Sequence, residues 1–384
     1  MNPSDFGKNK SGDLIKTPKG YWAFSPYPLP PNLIPTWELT AEISLADRAL
    51  SELAGVARTL PNPHLLISPF IRREAVLSSR IEGTQASLSD LFFFEASNPV
   101  HSTQDIREVV NYIHALEYGL KRLVDLPICT RLFREMHERL MDGVRGDHLT
   151  PGEFRTSQNW IGRPGCSLME ATYVPPPVEE MSAAMGDLEK FINGNSELPP
   201  LVRMALVHYQ FEAIHPFLDG NGRIGRLMLT LLLCSEKLLP QPLLYLSAYF
   251  ERHRTEYYDG LLQVSQQGRW LPWIIFFLRG VAIQSRDAIR RSSLLMDLQK
   301  QYRDILFAQR NTVLAQQLME SLFSSPAITT AQATKRLNCT TRSAQQTIDK
   351  LIEHGILVET TGKQRNRVYM ASEIAAIVEA SETE

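Results

Sequence analysis

Little in this sequence points to covalent stapling, membrane anchoring or a single dominant charge. The four cysteines, Cys129, Cys166, Cys234 and Cys339, are scattered through 384 residues, with no C-x-x-C pair and no histidine at zinc-finger spacing. That pattern argues against a disulfide framework and a zinc ribbon, and free thiols fit a reducing compartment. Long apolar runs are also missing. The longest, Leu227–Leu233 and Trp273–Leu278, fall far short of the roughly 20 residues a membrane span needs. Residues 1–19 are polar and lack the apolar stretch of a signal peptide. A cytoplasmic protein with no membrane partner is therefore expected. Lysine plus arginine total 40 against 42 aspartate plus glutamate, a net charge of −2. This excludes a chain that is basic throughout, but leaves room for a local basic patch.

What is present is a large helical chain. At roughly 100–200 residues per domain, the length predicts two or three domains. Residues 1–40 are proline-rich, with Pro26, Pro28, Pro30, Pro31 and Pro35, and read as an extended surface arm. Helical spacing follows over 38–94, where a segment from Ile71 to Glu82 stops at Gly83. Further helices are predicted over 106–123, 128–141 and 179–193. Between them, Trp160, Ile161, Tyr173 and Val174 flank Arg163-Pro164-Gly165 and predict a short β-hairpin. Residues 287–310 read as a polar bridging helix. Helices over 312–323, 330–337 and 341–353, then strands over 356–359 and 367–370, resemble a winged helix. The expected organisation is 1–103 as an N-terminal arm and helical region, 104–286 as the core, 287–310 as a linker and 311–384 as the winged-helix-like unit.

The chemistry lies in His215-Pro216-Phe217-Leu218-Asp219-Gly220-Asn221-Gly222-Arg223-Ile224-Gly225-Arg226. Pro199 and Pro200 start a helix, and Pro216 disfavours helix at His215, so the imidazole sits at a helix end. Gly220, Asn221 and Gly222 accept positive φ, and successive N–H groups in such a turn form an anion-binding nest. A second helix begins near Arg223 and adds its N-terminal donors. Arg223 and Arg226 share one face of its first turn and suit phosphate oxygens. Asp219 beside them suits a Mg²⁺ bridging phosphates. Each feature alone is ordinary. Together, in this order over one loop, they make a site for a phosphorylated ligand.

This stretch resembles the signature of the Fic family, H-P-F-x-[D/E]-G-N-[G/K]-R-x-x-R, and matches it at every specified position. The resemblance extends over roughly residues 65–285. It implies a mainly α fold: an all-helical core with a β-hairpin flap, an N-terminal helical region and a C-terminal winged helix. It also implies a protein adenylyltransferase that moves AMP from ATP to a Ser, Thr or Tyr hydroxyl and releases pyrophosphate. His215 is then the general base and Asp219 the Mg²⁺ ligand. The ATP site comprises Glu82, His215, Pro216, Phe217, Leu218, Asp219, Gly220, Asn221, Gly222, Arg223, Arg226 and Tyr257. Phe217 packs inward to fix the loop, and Tyr257 or a neighbour meets the adenine or ribose. Ser265 stands where some relatives carry an asparagine near the base. Glycine at 222 matches the AMP-transferring members rather than those with lysine that act as kinases.

Upstream, Ser78-Ser79-Arg80-Ile81-Glu82-Gly83 matches the family's inhibitory pattern [S/T]-x-x-x-E-[G/N]. Ser78 and Glu82 are four apart, on one helix face. The resemblance implies that Glu82 pairs with Arg226 and competes with the γ-phosphate. The flap implies a protein target added as a strand. A homodimer is a further implied partner state. Residues 311–370 hold seven basic and four acidic residues, with Arg342, Gln345 and Gln346 early in the recognition helix and Lys363, Arg365 and Arg367 on the wing. They make DNA a candidate partner. Two other functions stay open beside AMP transfer: removal of AMP or another phosphoryl transfer on the same scaffold, and DNA-binding regulation through the winged helix.

Overall fold

The computed structural model describes residues 1–7, 11–59, 64–97, 103–308 and 312–380. Its organising element is a 39-residue helix over Trp270–Ala308, labelled α11 below. At 1.5 Å per residue it is about 58 Å long. It crosses the boundary expected at 286/287, so the core and the linker share one continuous helix. The boundary expected at 310/311 falls outside the described residues.

The N-terminal segment departs from the extended arm expected of it. Strands β1 (Gly12–Lys16) and β2 (Trp22–Pro26) form an antiparallel hairpin, with Gly12 opposite Pro26. Phe24 is 1% exposed and packs against Phe6 and Tyr173. The proline run that follows has no regular structure. The burial of Phe6, Tyr21 and Phe24, which proline spacing does not reveal, holds this segment to the core.

Helix α1 (Trp37–Thr59) packs along α11, and Arg279 Nε donates to Glu42 at 2.8 Å between them. Helix α2 (His64–Ile81) begins seven residues before the expected Ile71, and α3 (Leu88–Ser97) falls within the helical region expected up to residue 94 and runs just past it, while α4 (Gln104–Arg122), α5 (Thr130–Leu140) and α6 (Val178–Asn193) follow the predicted spans closely. Helices α7 (Pro200–Ile214) and α8 (Asn221–Ser235) form the centre. Almost every residue of both is buried, which marks helices surrounded by protein rather than amphipathic surface helices. Helices α9 (Ser247–Arg252) and α10 (Arg254–Gln267) close the core against α11. The hairpin predicted over 156–177 is reduced to one antiparallel bridge between Ile161 and Tyr173. Its other residues form turns, irregular backbone and a short 3-10 helix over Leu168–Glu170, while β2 takes the adjacent pairing position: Phe24 N donates to Val174 O at 2.9 Å.

The C-terminal unit runs α12 (Val313–Leu322), β3 (Ala327–Thr329), α13 (Thr330–Leu337), α14 (Thr341–Glu353), β4 (Val358–Glu359), β5 (Val368–Met370) and α15 (Ser372–Glu379). Its antiparallel sheet has the order β3-β5-β4. Strand β3, only three residues long, escaped the pattern reading. Thr329 and Thr340 cap α13 and α14 through their hydroxyls. Gln332 Nε2 donates to Glu95 O of α3 at 2.8 Å, and Ser68 Oγ of α2 donates to Ser324 O at 2.9 Å.

Arg291 of α11, 1% exposed, makes the deepest tie. It pairs with Asp287 at 2.6 Å and donates to the carbonyls of Ile377, Val378 and Ala380 at the end of α15. Breaking a buried charge network by removing one partner costs about 3 kcal/mol or more. Arg291→Ala should therefore lower the midpoint of a denaturant melt and free α15, seen as faster amide exchange over 372–380.

Candidate functional site

Helix α7 ends at His215, which adopts the left-handed conformation with φ 50° and ψ 61°. That conformation is uncommon for a side-chain-bearing residue and needs support. Arg155 Nε donates to His215 O at 3.0 Å, and Asn159 Nδ2 to the same oxygen at 3.1 Å. Asn159 Nδ2 also reaches Phe217 O at 2.7 Å, and Arg155 N donates to Pro216 O at 2.9 Å. Neither Arg155 nor Asn159 carried a sequence signal, since each acts from some 60 residues away. Phe217 is fully buried, with its ring stacked on His137 at 3.9 Å. His137 in turn accepts from Gly152 N through Nδ1 and donates from Nε2 to Asp219 O. Leu218 is half-buried.

Gly220, at φ 77°, lies in the left-handed region and precedes α8. It has no side chain to cap the helix, so the first-turn N–H groups face the cleft as a phosphate nest requires. The Asn221 side chain turns inward: it accepts from Phe217 N and donates to Phe217 O, both at 2.8 Å. Asn221 thus closes the loop with its side chain and leaves only its backbone to a ligand. Helix α8 starts two residues earlier than expected for the same reason. Asp219 Oδ1 accepts from Gly220 N at 2.6 Å, and its side chain is 39% exposed.

The two arginines are held differently. Arg226, 2% exposed, donates from Nε to Ser78 Oγ at 2.8 Å and from Nη2 to Ser78 O at 3.0 Å and Glu82 Oε1 at 2.7 Å. Gly83, at φ 100°, ends the turn that aims Glu82. A Cβ at Gly222 would lie 2.3 Å from Glu82 Oε1, so the carboxylate rests over the nest itself. Burial opposes charge on Glu82, but Arg226 outweighs it and holds the carboxyl below its ordinary pKa. Arg223, 3% exposed, has looser partners: Glu108 and Asp219, each at 3.8 Å, and Met141 Sδ at 3.6 Å. Its Nε and Nη1 have no hydrogen-bond partner among the described residues. Buried donors left open beside a nest suit an anion.

His215 Nδ1 lies 3.2 Å from Glu212 O. A carbonyl only accepts, so Nδ1 carries the proton and Nε2 is the free base. Burial, with Arg155 adding to it, pushes the imidazole pKa down to about 4. Tyr257 does not offer a face for a nucleoside. It is 1% exposed, and its hydroxyl is paired with His208 Nε2 at 2.9 Å. Its neighbour Tyr258, 40% exposed, is the open aromatic. Ser265 is buried and bonded to Tyr209 in the core. Behind Ser78, Glu74 accepts from Tyr112 Oη at 3.0 Å and Ser247 Oγ at 2.5 Å, a buried support the sequence pattern did not single out.

Residues 40–121 match the Fic/DOC family N-terminal model, and residues 127–233 match the Fic/DOC family model. These two matches place residues 40–121 and 127–233 in the Fic/DOC family. It is 33% identical over 179 residues to a protein adenylyltransferase Fic of Aedes aegypti, covering 46% of this chain and 32% of that protein. It is 28% identical over 222 residues to protein adenylyltransferase fic-1 of Caenorhabditis briggsae, covering 55% of this chain and 39% of that protein. The chain thus spans about a third of the length of these curated relatives. A Fic family crystal structure from Desulfovibrio desulfuricans G20 superimposes with a TM-score of 0.57 at 19% identity, over 89% of this chain and 98% of that one. Fic-1 of C. elegans gives a TM-score of 0.53 at 23% identity, over 66% and 74%. These two show a shared fold.

The Fic loop depends on Asn159 for its shape. Asn159→Ala would remove one of the two side-chain donors to each of the His215 and Phe217 carbonyls. At about 1 kcal/mol per hydrogen bond, the expected loss is about 2 kcal/mol in urea-melt stability.

Proposed function

We propose that this chain is a protein adenylyltransferase that moves AMP from ATP to a Ser, Thr or Tyr hydroxyl of a target protein, and is held back by Glu82. The observation that carries this reading is the geometry around α8. A free imidazole nitrogen, an uncapped helix start and two buried guanidiniums converge on one loop, and one guanidinium is occupied by a carboxylate. The names of the curated relatives support the same chemistry.

In the transfer, the target hydroxyl oxygen bonds to the α-phosphorus of ATP, and the bond to the β-bridging oxygen breaks. The hydroxyl proton goes to His215 Nε2, and pyrophosphate leaves. The α8 first-turn N–H groups and Arg223 take the phosphate oxygens, where negative charge develops. Arg226 takes the γ-phosphate once Glu82 withdraws. Mg²⁺ fits this site. Asp219 is one partly exposed carboxylate beside the nest, and Mg²⁺ is usually held by one or two carboxylates plus phosphates. Among the described residues no group of three His, Cys, Asp or Glu side chains could hold a metal alone. Asp219 would hold Mg²⁺, which supplies charge neutralisation on the phosphates. The target would add as a strand at Ile161, whose neighbourhood exposes Trp160 and Ile161 at 41% and 39%.

A second reading concerns the C-terminal unit. Arg342, Gln346, Lys363, Arg365 and Arg367 are exposed, and this basic face favours DNA contact. Gln345 drops out of that face, because its side chain bonds Thr330, Asp349 and Tyr369. A gel-shift with a salt series tests it, and affinity independent of salt counts against it. A homodimer, implied by resemblance, is tested by light scattering of the full chain.

Incubation with ATP labelled at the α position, against ATP labelled at the γ position, tests the transfer: retained α label means AMP transfer, retained γ label phosphorylation. Two outcomes are expected with it. A charge-assisted hydrogen bond is worth about 1.5–3 kcal/mol, or roughly ten- to a hundred-fold. The Glu82 side chain is 32% exposed, so water discounts this to the lower end, about ten-fold. Glu82→Gly should thus raise the AMP-transfer rate at limiting ATP by about ten-fold, Glu82→Asp less, and Arg226→Ala not at all. A folded Glu82→Gly protein no faster than the parent removes the inhibitory role.

His215→Ala should lower transfer by about 10²–10⁴-fold while ATP binding persists. The depressed His215 pKa leaves the base neutral down to about pH 4. The rate should therefore hold through pH 6.5 and fall only as pH drops toward that value, measured as kcat/KM against pH.

A further inference from the structure

Glu212 lies on α7 one turn before His215, and the transfer described above makes no use of its side chain. Its carbonyl holds His215 Nδ1, while its carboxyl lies against α8. A Cβ at Gly225 would come within 2.3 Å of Glu212 Oε1 and 3.3 Å of His208 Cε1. Glycine at 225 is therefore what gives the carboxyl its place. The Glu82 carboxylate rests over Gly222 in the same way, at 2.3 Å. Gly222 and Gly225 are three apart, so the two carboxyls lie along one face of α8.

Their surroundings differ. Glu82 Oε1 takes the Arg226 guanidinium, whereas Glu212 Oε1 is buried without a hydrogen-bond partner among the described residues. Native proteins pair nearly all such atoms, and an orphan beside a ligand cleft is a place for a ligand group. Burial, with Glu82 adding to it against the pull of Arg226, pushes the Glu212 carboxyl up to about 8. Near neutral pH it is therefore an uncharged acid, with one donor and one acceptor to offer.

That combination suits a hydroxyl, which also donates and accepts. It does not suit a phosphate, for which the cleft already provides Arg223, Arg226 and the nest. Glu212 couples electrostatically to Tyr258, the open aromatic, and to Arg226, at the phosphate end. In a nucleotide the ribose lies between base and phosphates. We propose that Glu212 is the ribose-positioning residue of the ATP site, its Oε1 paired with one of the two ribose hydroxyls. This rests on the ATP-dependent reading above.

The test is calorimetric binding by the full chain carrying Glu82→Gly and His215→Ala, which opens Arg226 and stops turnover. ATP, 2′-deoxy-ATP and 3′-deoxy-ATP are titrated in turn. One of the deoxy nucleotides should bind about ten-fold more weakly than ATP, the size of one lost hydrogen bond. Adding Glu212→Ala should weaken ATP by a similar factor and abolish the difference between ATP and that analogue. Adding Glu212→Gln, which keeps a donor and an acceptor, should preserve the difference. If Glu212→Ala does not fold, Glu212→Met reads the same ratio. Equal binding of all three nucleotides, or a ratio unchanged by Glu212→Ala, overturns the assignment of Glu212 alone. A folded background protein that binds no ATP overturns the nucleotide site itself, and Glu212 with it.

Discussion

The rest of the site is arranged around one buried guanidinium. Arg226 sits in the second turn of a helix enclosed by protein, where a charge without partners is untenable. It is satisfied from a single direction, by the hydroxyl and carbonyl of Ser78 and the carboxylate of Glu82. All three atoms come from the last turn of α2 and the residue just past it. The position of α2 is therefore bound to the charge state of the cleft. Whatever anion takes the place of Glu82 must satisfy Arg226 at least as well.

That dependence reaches outward through polar contacts. Glu74 sits two turns before Glu82 on α2 and is tied to Tyr112 and Ser247. Thr84, just past the turn, donates to Glu108 at 2.9 Å, and Glu108 faces Arg223. Both motif arginines are thus linked to the segment from Ser78 to Thr84, one directly and one through Glu108. The C-terminal unit adds its own contacts to α2 and α3, through Ser324 and Gln332. The helix that leads to Glu82 is in this way braced on three sides.

The loop from His215 to Gly220 is supported by a different set of residues. His215 stays left-handed because Arg155 and Asn159 hold its carbonyl, and Phe217 stays buried because His137 stacks on it. These supports come from α5 and from the segment leading into the flap. The loop from His215 to Gly220 and the segment around Ile161 therefore share a foundation. A change in the flap segment would be felt at the imidazole.

The sequence alone determined the motif, the helix that ends at His215, the pairing of Ser78 with Glu82 on one helix face, and most helix spans. These are local facts: they depend on proline, glycine and a 3.6-residue period, all legible within a dozen residues. Tertiary structure decided which of those side chains reach a ligand. It turned the Asn221 side chain inward, buried Tyr257 behind Tyr258, removed Gln345 from the basic face and reduced the flap to one bridge, with β2 pairing beside it. It also brought in Arg155, Asn159, His137, Glu108 and Glu212, each from a distant segment or a buried face. Burial and orphaned hydrogen-bonding atoms arise only when separate helices pack against one another, and no periodicity in a single segment records what its neighbour will leave unpaired.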